Sequence, residues 1–146
     1  MSHAYIYRIV VVVAIFAAGV IAGRLSTPAV LHAQAGTRVF ELRTYTAPDG
    51  KLDDLKARFR NHTMKLFEKH GITNIGYWVP QDAPLHSNTL TYMIAYPNRD
   101  EAKKRWAAFQ ADPDWQKVRT ESEVNGRLTT KIDSVFMDPA DFSQIK

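Results

Sequence analysis

The chain has 146 residues, 45% apolar and 23% charged, which suits one globular domain and excludes both a chain disordered throughout and a multi-span membrane protein. Cysteine is absent, so a disulfide scaffold, a thiolate metal site and a cysteine nucleophile are excluded together. Net charge is +4, but Arg8 and Arg24 lie in an N-terminal segment with no acidic residue; beyond residue 35 the balance is 17 basic against 15 acidic residues, which argues for no nucleic-acid surface.

The sharpest break in composition comes first. Ile9 to Ala22 carries 14 residues without a polar side chain, bracketed by Arg8 and Arg24. As a helix it spans about 21 Å, short of the roughly 30 Å of a bilayer core. That length, the positive start at Arg8 and the small-x-small triplet Ala33-Gln34-Ala35 predict a signal peptide over residues 1–35, cleaved after Ala35. The domain at 36–146 is then periplasmic or secreted. The alternative is an uncleaved membrane anchor over residues 9–23, with Tyr5-Ile6-Tyr7 extending the apolar run and Arg8 snorkelling.

Segments of period 2 and period 3.6 follow. Arg38 to Thr46 alternates Val39, Glu41, Arg43 and Tyr45 against Phe40, Leu42, Thr44 and Thr46, which predicts a strand. Pro48-Asp49-Gly50 signals a turn. Lys51 to His70 reads as a helix with Leu52, Leu55, Phe59, Leu66 and Phe67 inward, and Gly71 suits a left-handed cap. Ile72 to Pro80 and Thr89 to Tyr96 read as the second and third strands, separated by a polar loop. Asn98 is placed to cap a second helix, with Glu101 in capping-box position and Ala102, Trp106 and Phe109 inward. Asp112-Pro113 restarts that helix, carrying Trp115 and Val118. Leu128 to Met137 reads as the fourth strand.

The order β-α-β-β-α-β predicts an α+β, ferredoxin-like domain: a four-stranded antiparallel sheet with helices on one face. Bulky groups fall on both faces of the strands, where a water-facing antiparallel sheet alternates more cleanly. A second copy packed on the open face, giving a homodimer, is the expected cure.

Several residue groups together resemble the NIPSNAP family. They are Phe40-Glu41-Leu42-Arg43-Thr44-Tyr45, Phe59-Arg60-Asn61-His62-Thr63, Leu66-Phe67, His70-Gly71, Gly76-Tyr77-Trp78, Arg105-Trp106, Asp114-Trp115 and the ending Phe136-Met137-Asp138-Pro139. The resemblance runs from about Arg38 to Ser143 and implies a subunit of a dimeric α/β barrel, in which two sheets face each other. It implies no settled reaction. Eukaryotic members are associated with mitochondria, but the leader here lacks the Arg- and Ser-rich character of a transit peptide. More distant relatives in that superfamily include haem-degrading and quinone-forming monooxygenases, an analogy of fold alone.

His62 stands out among the candidate site residues. It is three residues after Phe59, seven after Leu55 and four before Leu66, which places it on the inward stripe of the first helix. A buried imidazole needs a partner, since an unsatisfied one costs on the order of 1–3 kcal/mol. Two roles are open: a general base or haem ligand lining a pocket, or a core histidine satisfied by Glu41, Tyr45 or a backbone carbonyl. Glu41, Arg43 and Tyr45 share one strand face, where they would bind a polar ligand or form ion pairs across the dimer. Trp78 and Tyr92 belong to an aromatic set that would pack a core or wall a flat ligand such as a quinone or haem. His70 is expected to cap its helix end, and His86 to face solvent. No metal-ligand spacing, P-loop, dinucleotide fingerprint or nucleophile elbow occurs.

Three functions are compatible with these features. The first is a dimeric α/β-barrel protein binding a small aromatic or haem-like ligand between helix and sheet. The others are a non-catalytic module that binds another protein, and a cofactor-independent monooxygenase-like enzyme.

Overall fold

The structure is a computed structural model that describes residues 38–146; the apolar stretch at 9–22 and the expected cleavage after Ala35 lie outside the described residues. Strand β1 (Val39–Thr46) forms from the alternating run and takes the centre of the sheet. It pairs antiparallel with β3 (Thr89–Tyr96) on one side and β4 (Lys131–Met137) on the other, and β2 (Thr73–Trp78) pairs with β3. The sheet order is β2-β3-β1-β4, the ferredoxin-like arrangement the element order predicts. Among the described residues, no helix is long and apolar enough to cross a membrane.

The first helical region is interrupted. It begins as α1 (Leu52–Arg58), opens into a π-helical turn over Phe59–Thr63, and resumes as α2 (Met64–Lys69). A π turn bonds i to i+5 and holds more residues per turn than an α-helix, so the side chains beyond it rotate to a new face. Thr63 takes the buried position that an unbroken α-helix would give His62. Its hydroxyl donates to the Arg58 carbonyl at 3.3 Å.

Helix α2 ends in a Schellman motif. The Ile72 N–H donates to the Phe67 carbonyl and the Gly71 N–H to that of Glu68, both at 2.9 Å. Gly71 sits at φ +70°, where a side chain would be strained. Because the cap uses Ile72, β2 starts one residue later than its apolar run suggests. β4 is also shorter than expected, because Leu128 is buried in the approach to the strand.

Helix α3 (Arg99–Ala111) is capped by Asn98, whose side chain accepts from the Glu101 N–H at 2.8 Å. Only half of the capping box forms. The Glu101 carboxylate turns instead to Arg105 four residues on, at 2.8 Å. Helix α4 (Pro113–Ser122) starts from Asp112, which accepts the Asp114 N–H, with Pro113 in the first turn as expected.

Helices α1 to α4 lie on one face of the sheet, above Val39, Glu41, Arg43 and Tyr45 of β1 and Leu90, Tyr92, Ile94 and Tyr96 of β3. Phe59 and Phe67 meet Tyr92 in tilted contacts, and Tyr77 stacks on Tyr92 at 5.4 Å. Each fully buried side chain of this size contributes about 1.5–3 kcal/mol. Among the described residues no helix covers the opposite face, and Leu42, Met93 and Val135 lie on it.

One polar clamp joins the helices. His70 is the C-cap of its helix, as expected, but through its backbone N–H, which donates to the Leu66 and Phe67 carbonyls; its ring turns away, with Nε2 2.5 Å from the buried Asp112 carboxylate, which Lys69 also reaches at 2.9 Å. The bond from His70, then the one from Lys69, hold the Asp112 carboxyl well below the ordinary aspartate range. Such a group stabilises the fold fully above its unfolded pKa and loses that contribution as pH falls toward the lower folded value. Asp112→Asn keeps a capping side chain but removes the charge. Its Tm is expected below wild type at pH 7, with the gap closing as pH drops below about 3.8; thermal unfolding by circular dichroism across pH 7 to 2.5 checks this.

Candidate functional site

Strand alternation puts Glu41, Arg43 and Tyr45 beneath the helices, so the expected ion pairing across a dimer is replaced by pairing within the subunit. Glu41 is 3% exposed, and one of its oxygens accepts from Arg43 Nη1 at 2.5 Å and from Ser134 Oγ at 2.6 Å. The other accepts from the Tyr96 hydroxyl at 3.0 Å. Burial, reinforced by the Glu41 carboxylate, drives the Tyr96 phenol far above its usual pKa and keeps it a donor. The Arg43 guanidinium lies 4.1 Å from the centre of the Trp106 ring and 5.6 Å from that of Tyr45.

Arg58 enters the same layer from the last turn of α1 and is 6% exposed. Its Nη1 donates to Glu123 at 3.0 Å, and its guanidinium lies 5.4 Å from the Trp115 ring centre. Glu123 also lies 3.8 Å from Arg119. Trp115, Arg119 and Glu123 follow one another at four-residue spacing, so α4 and its end present them on one side.

Between these groups is a cavity of about 270 Å³, close to the lower end of the roughly 300–1,000 Å³ usual for small-molecule sites. Arg43 and Tyr45 form its floor, Arg58, Phe59 and Thr63 one wall, and Trp106 and Trp115 another. The π turn thus supplies two wall residues directly. A second cleft of about 390 Å³, lined by Glu41, Arg99 and Phe136, shares Arg43 and Trp106 with the first. Arg43 Nε, Arg58 Nε and Trp115 Nε1 are buried without a hydrogen-bond partner among the described residues.

The residues expected to form the site separate. His62 is exposed, because the π turn rotates it off the inward face, so neither a pocket ligand nor a core role for its ring survives. Trp78 is half exposed on the open face of the sheet, with its ring over Gly76. Tyr92 is fully buried by neighbouring aromatics and does not line the cavity; its hydroxyl has no partner, and burial raises its pKa well above the ordinary phenol range. Arg43 and Tyr45 line the cavity, and Glu41 stands behind Arg43.

Arg58, Arg119 and Glu123 were not anticipated. Arg58 follows Leu55 by three and precedes Phe59, and a charge on that stripe is the signal that could have found it. The cavity lining contains no histidine or methionine, so a haem held by such a side chain does not fit there. Among the described residues, no three His, Asp or Glu side chains are grouped to hold a metal ion.

The fold and cavity define a ferredoxin-like α+β protein with an arginine- and aromatic-lined chamber between helices and sheet. The family model for NIPSNAP matches residues 40–144, and the chain belongs to the NIPSNAP family. A NIPSNAP family protein with unknown function from Agrobacterium tumefaciens is 22% identical, with a TM-score of 0.66 over 76% of this chain and 96% of its own. An uncharacterized NIPSNAP-like domain protein from Burkholderia xenovorans is 19% identical, with a TM-score of 0.64 over 74% and 90%. A second Agrobacterium tumefaciens family member is 23% identical, with a TM-score of 0.65 over 75% and 99%. At these identities the likeness establishes the fold. No curated protein matches the chain.

Glu41→Ala strips the acceptor from Arg43, Tyr96 and Ser134 at once. Leaving a buried charge unpaired costs about 3–5 kcal/mol. The urea midpoint is expected to fall by the equivalent amount with an unchanged slope.

Proposed function

We propose that this NIPSNAP protein binds a small, flat aromatic molecule in the cavity between its helices and strands β1 and β4. The observation that carries the reading is the lining itself: aromatic rings with buried guanidinium and indole N–H groups among them. Small-molecule sites combine a mostly apolar wall with a few placed polar groups in this way. The lining supplies recognition: rings to stack on and donors to orient a guest.

Saturation-transfer NMR with 2-naphthol as the probe tests this. Transfer is expected from the full chain and from its His62→Ala variant. Ile132→Trp fills the cavity from a position already 47% exposed, so the fold should tolerate it and transfer should vanish. Undiminished transfer in that variant overturns the reading.

The working unit in this reading is a homodimer joined through the open sheet face. Val135 is 56% exposed there and Trp78 52%, beside an apolar cleft formed by Phe40, Met93, Phe142 and Ile145. A contiguous exposed apolar face of this kind marks an association surface. Export by the leader at residues 1–35 is part of the same proposal and rests on its apolar run and the Ala33-Gln34-Ala35 triplet. Val135→Asp places a charge on the joining face, on edge strand β4. Light scattering is expected to give the mass of two chains for wild type and of one for the variant.

A further inference from the structure

The two clefts that share Arg43 and Trp106 lie end to end. Along β1 and β4 the register pairs Glu41 with Phe136, Arg43 with Ser134 and Tyr45 with Ile132. The outer pairs belong to different clefts: Glu41 and Phe136 line the larger, Tyr45 and Ile132 the smaller. Helix α3 repeats that order above them. Ala102 and Lys103 line the larger cleft, Phe109 and Gln110 the smaller, and Trp106 lines both, as Arg43 does from the sheet. Glu41 to Tyr45 is about 13 Å of strand, and Ala102 to Gln110 about 12 Å of helix. One groove therefore runs between α3 and the β1–β4 pair, with the Arg43–Trp106 contact at its midpoint.

That contact closes the groove and is held from both ends. The guanidinium carbon lies 4.1 Å from the ring centre, a touching distance that leaves no room for a third flat group between them. Arg43 is fixed by Glu41, which Tyr96 and Ser134 hold in turn. The indole packs on Phe67 and Phe109 of the smaller cleft, at 5.8 and 5.4 Å between ring centres. Toward the larger cleft its neighbour one turn back along α3 is Ala102, whose methyl leaves that end of the groove open.

We propose that Trp106 determines guest size: its ring divides one groove into two chambers, admits compact aromatic guests to the smaller and excludes guests long enough to span both. This deepens the binding reading above and rests on it. A packed interior relaxes only partly around a deleted side chain. Removal of the indole therefore joins the volumes of about 270 and 390 Å³ into a single elongated site.

The test compares 2-naphthol with 6-phenyl-2-naphthol, which has the same head and is longer along one axis, by titrating the fluorescence of each with the full chain. Wild type is expected to bind the short probe at least tenfold more tightly. In Trp106→Ala the long probe should gain at least tenfold over wild type while the short one binds much as before, which also shows that the variant is folded. Adding Ile132→Trp, which fills the smaller chamber, should abolish that gain, because the long probe needs both chambers. If Trp106→Ala loses both probes, Trp106→Leu decides: it keeps bulk against Phe67 and Phe109 without a ring over Arg43, and the same gain is expected. Equal binding of the two probes to wild type overturns the inference and leaves the cavity reading standing. A long probe that gains in neither variant, or whose gain survives Ile132→Trp, overturns it too. Failure of both probes in wild type removes the cavity reading itself.

Discussion

A carboxylate and a guanidinium two residues apart on the central strand lie inside the helix–sheet layer, and their neighbours are arranged around that fact. Glu41 and Arg43 point inward because β1 pairs on both sides and its alternation is fixed by Val39 and Tyr45, which belong in the core. A one-residue slip would expose those two. Once inside, the pair must be solvated by protein. Tyr96 and Ser134 donate to the carboxylate, and Trp106 covers the guanidinium. A buried ion pair of this kind is weak evidence for stability, since apolar residues of similar volume often serve as well or better. Its consequence is spatial: a ring and an arginine cannot close the layer as tightly as interlocking aliphatic side chains, and open space remains on either side of the Arg43–Trp106 stack.

The π turn acts on that space from above. An uninterrupted helix would aim His62 at the sheet. The extra width of the turn rotates His62 to solvent and brings Thr63 inward, with Phe59 and Arg58 beside it. Single π turns inside α-helices are frequent at functional sites. Here the turn exchanges an imidazole for a hydroxyl and leaves the chamber with permanently charged arginines rather than a group that titrates near neutrality.

Much of the architecture was legible in local pattern. Asn98 and Asp112-Pro113 fixed both starts in the second helical region, Gly71 fixed an end, and Thr89–Tyr96 is a strand over its full predicted length. These signals involve neighbours within a few residues, and local geometry settles them. The site was less legible. Arg43 and Tyr45 were singled out and do line the chamber, but Arg58 was not, and His62 was placed by a helical period that the π turn breaks. Trp78 and Tyr92 sit in neighbouring strands one register position apart, Trp78 beside Thr91 and Tyr92 beside Tyr77, and so they fall on opposite sides of the sheet.

The sequence by itself determined the order of elements, the caps, the alternation of the strands and hence the ferredoxin-like plan, because each follows from interactions a few residues long. Only the tertiary structure decided which charged residues are sealed in, which face of the first helix meets the sheet, and which residues line one space. Those outcomes depend on groups far apart in the chain: Arg43 with Trp106, Arg58 with Glu123, Glu41 with Ser134. No window of the sequence holds both partners of such a contact, so the chamber exists only when the layers close.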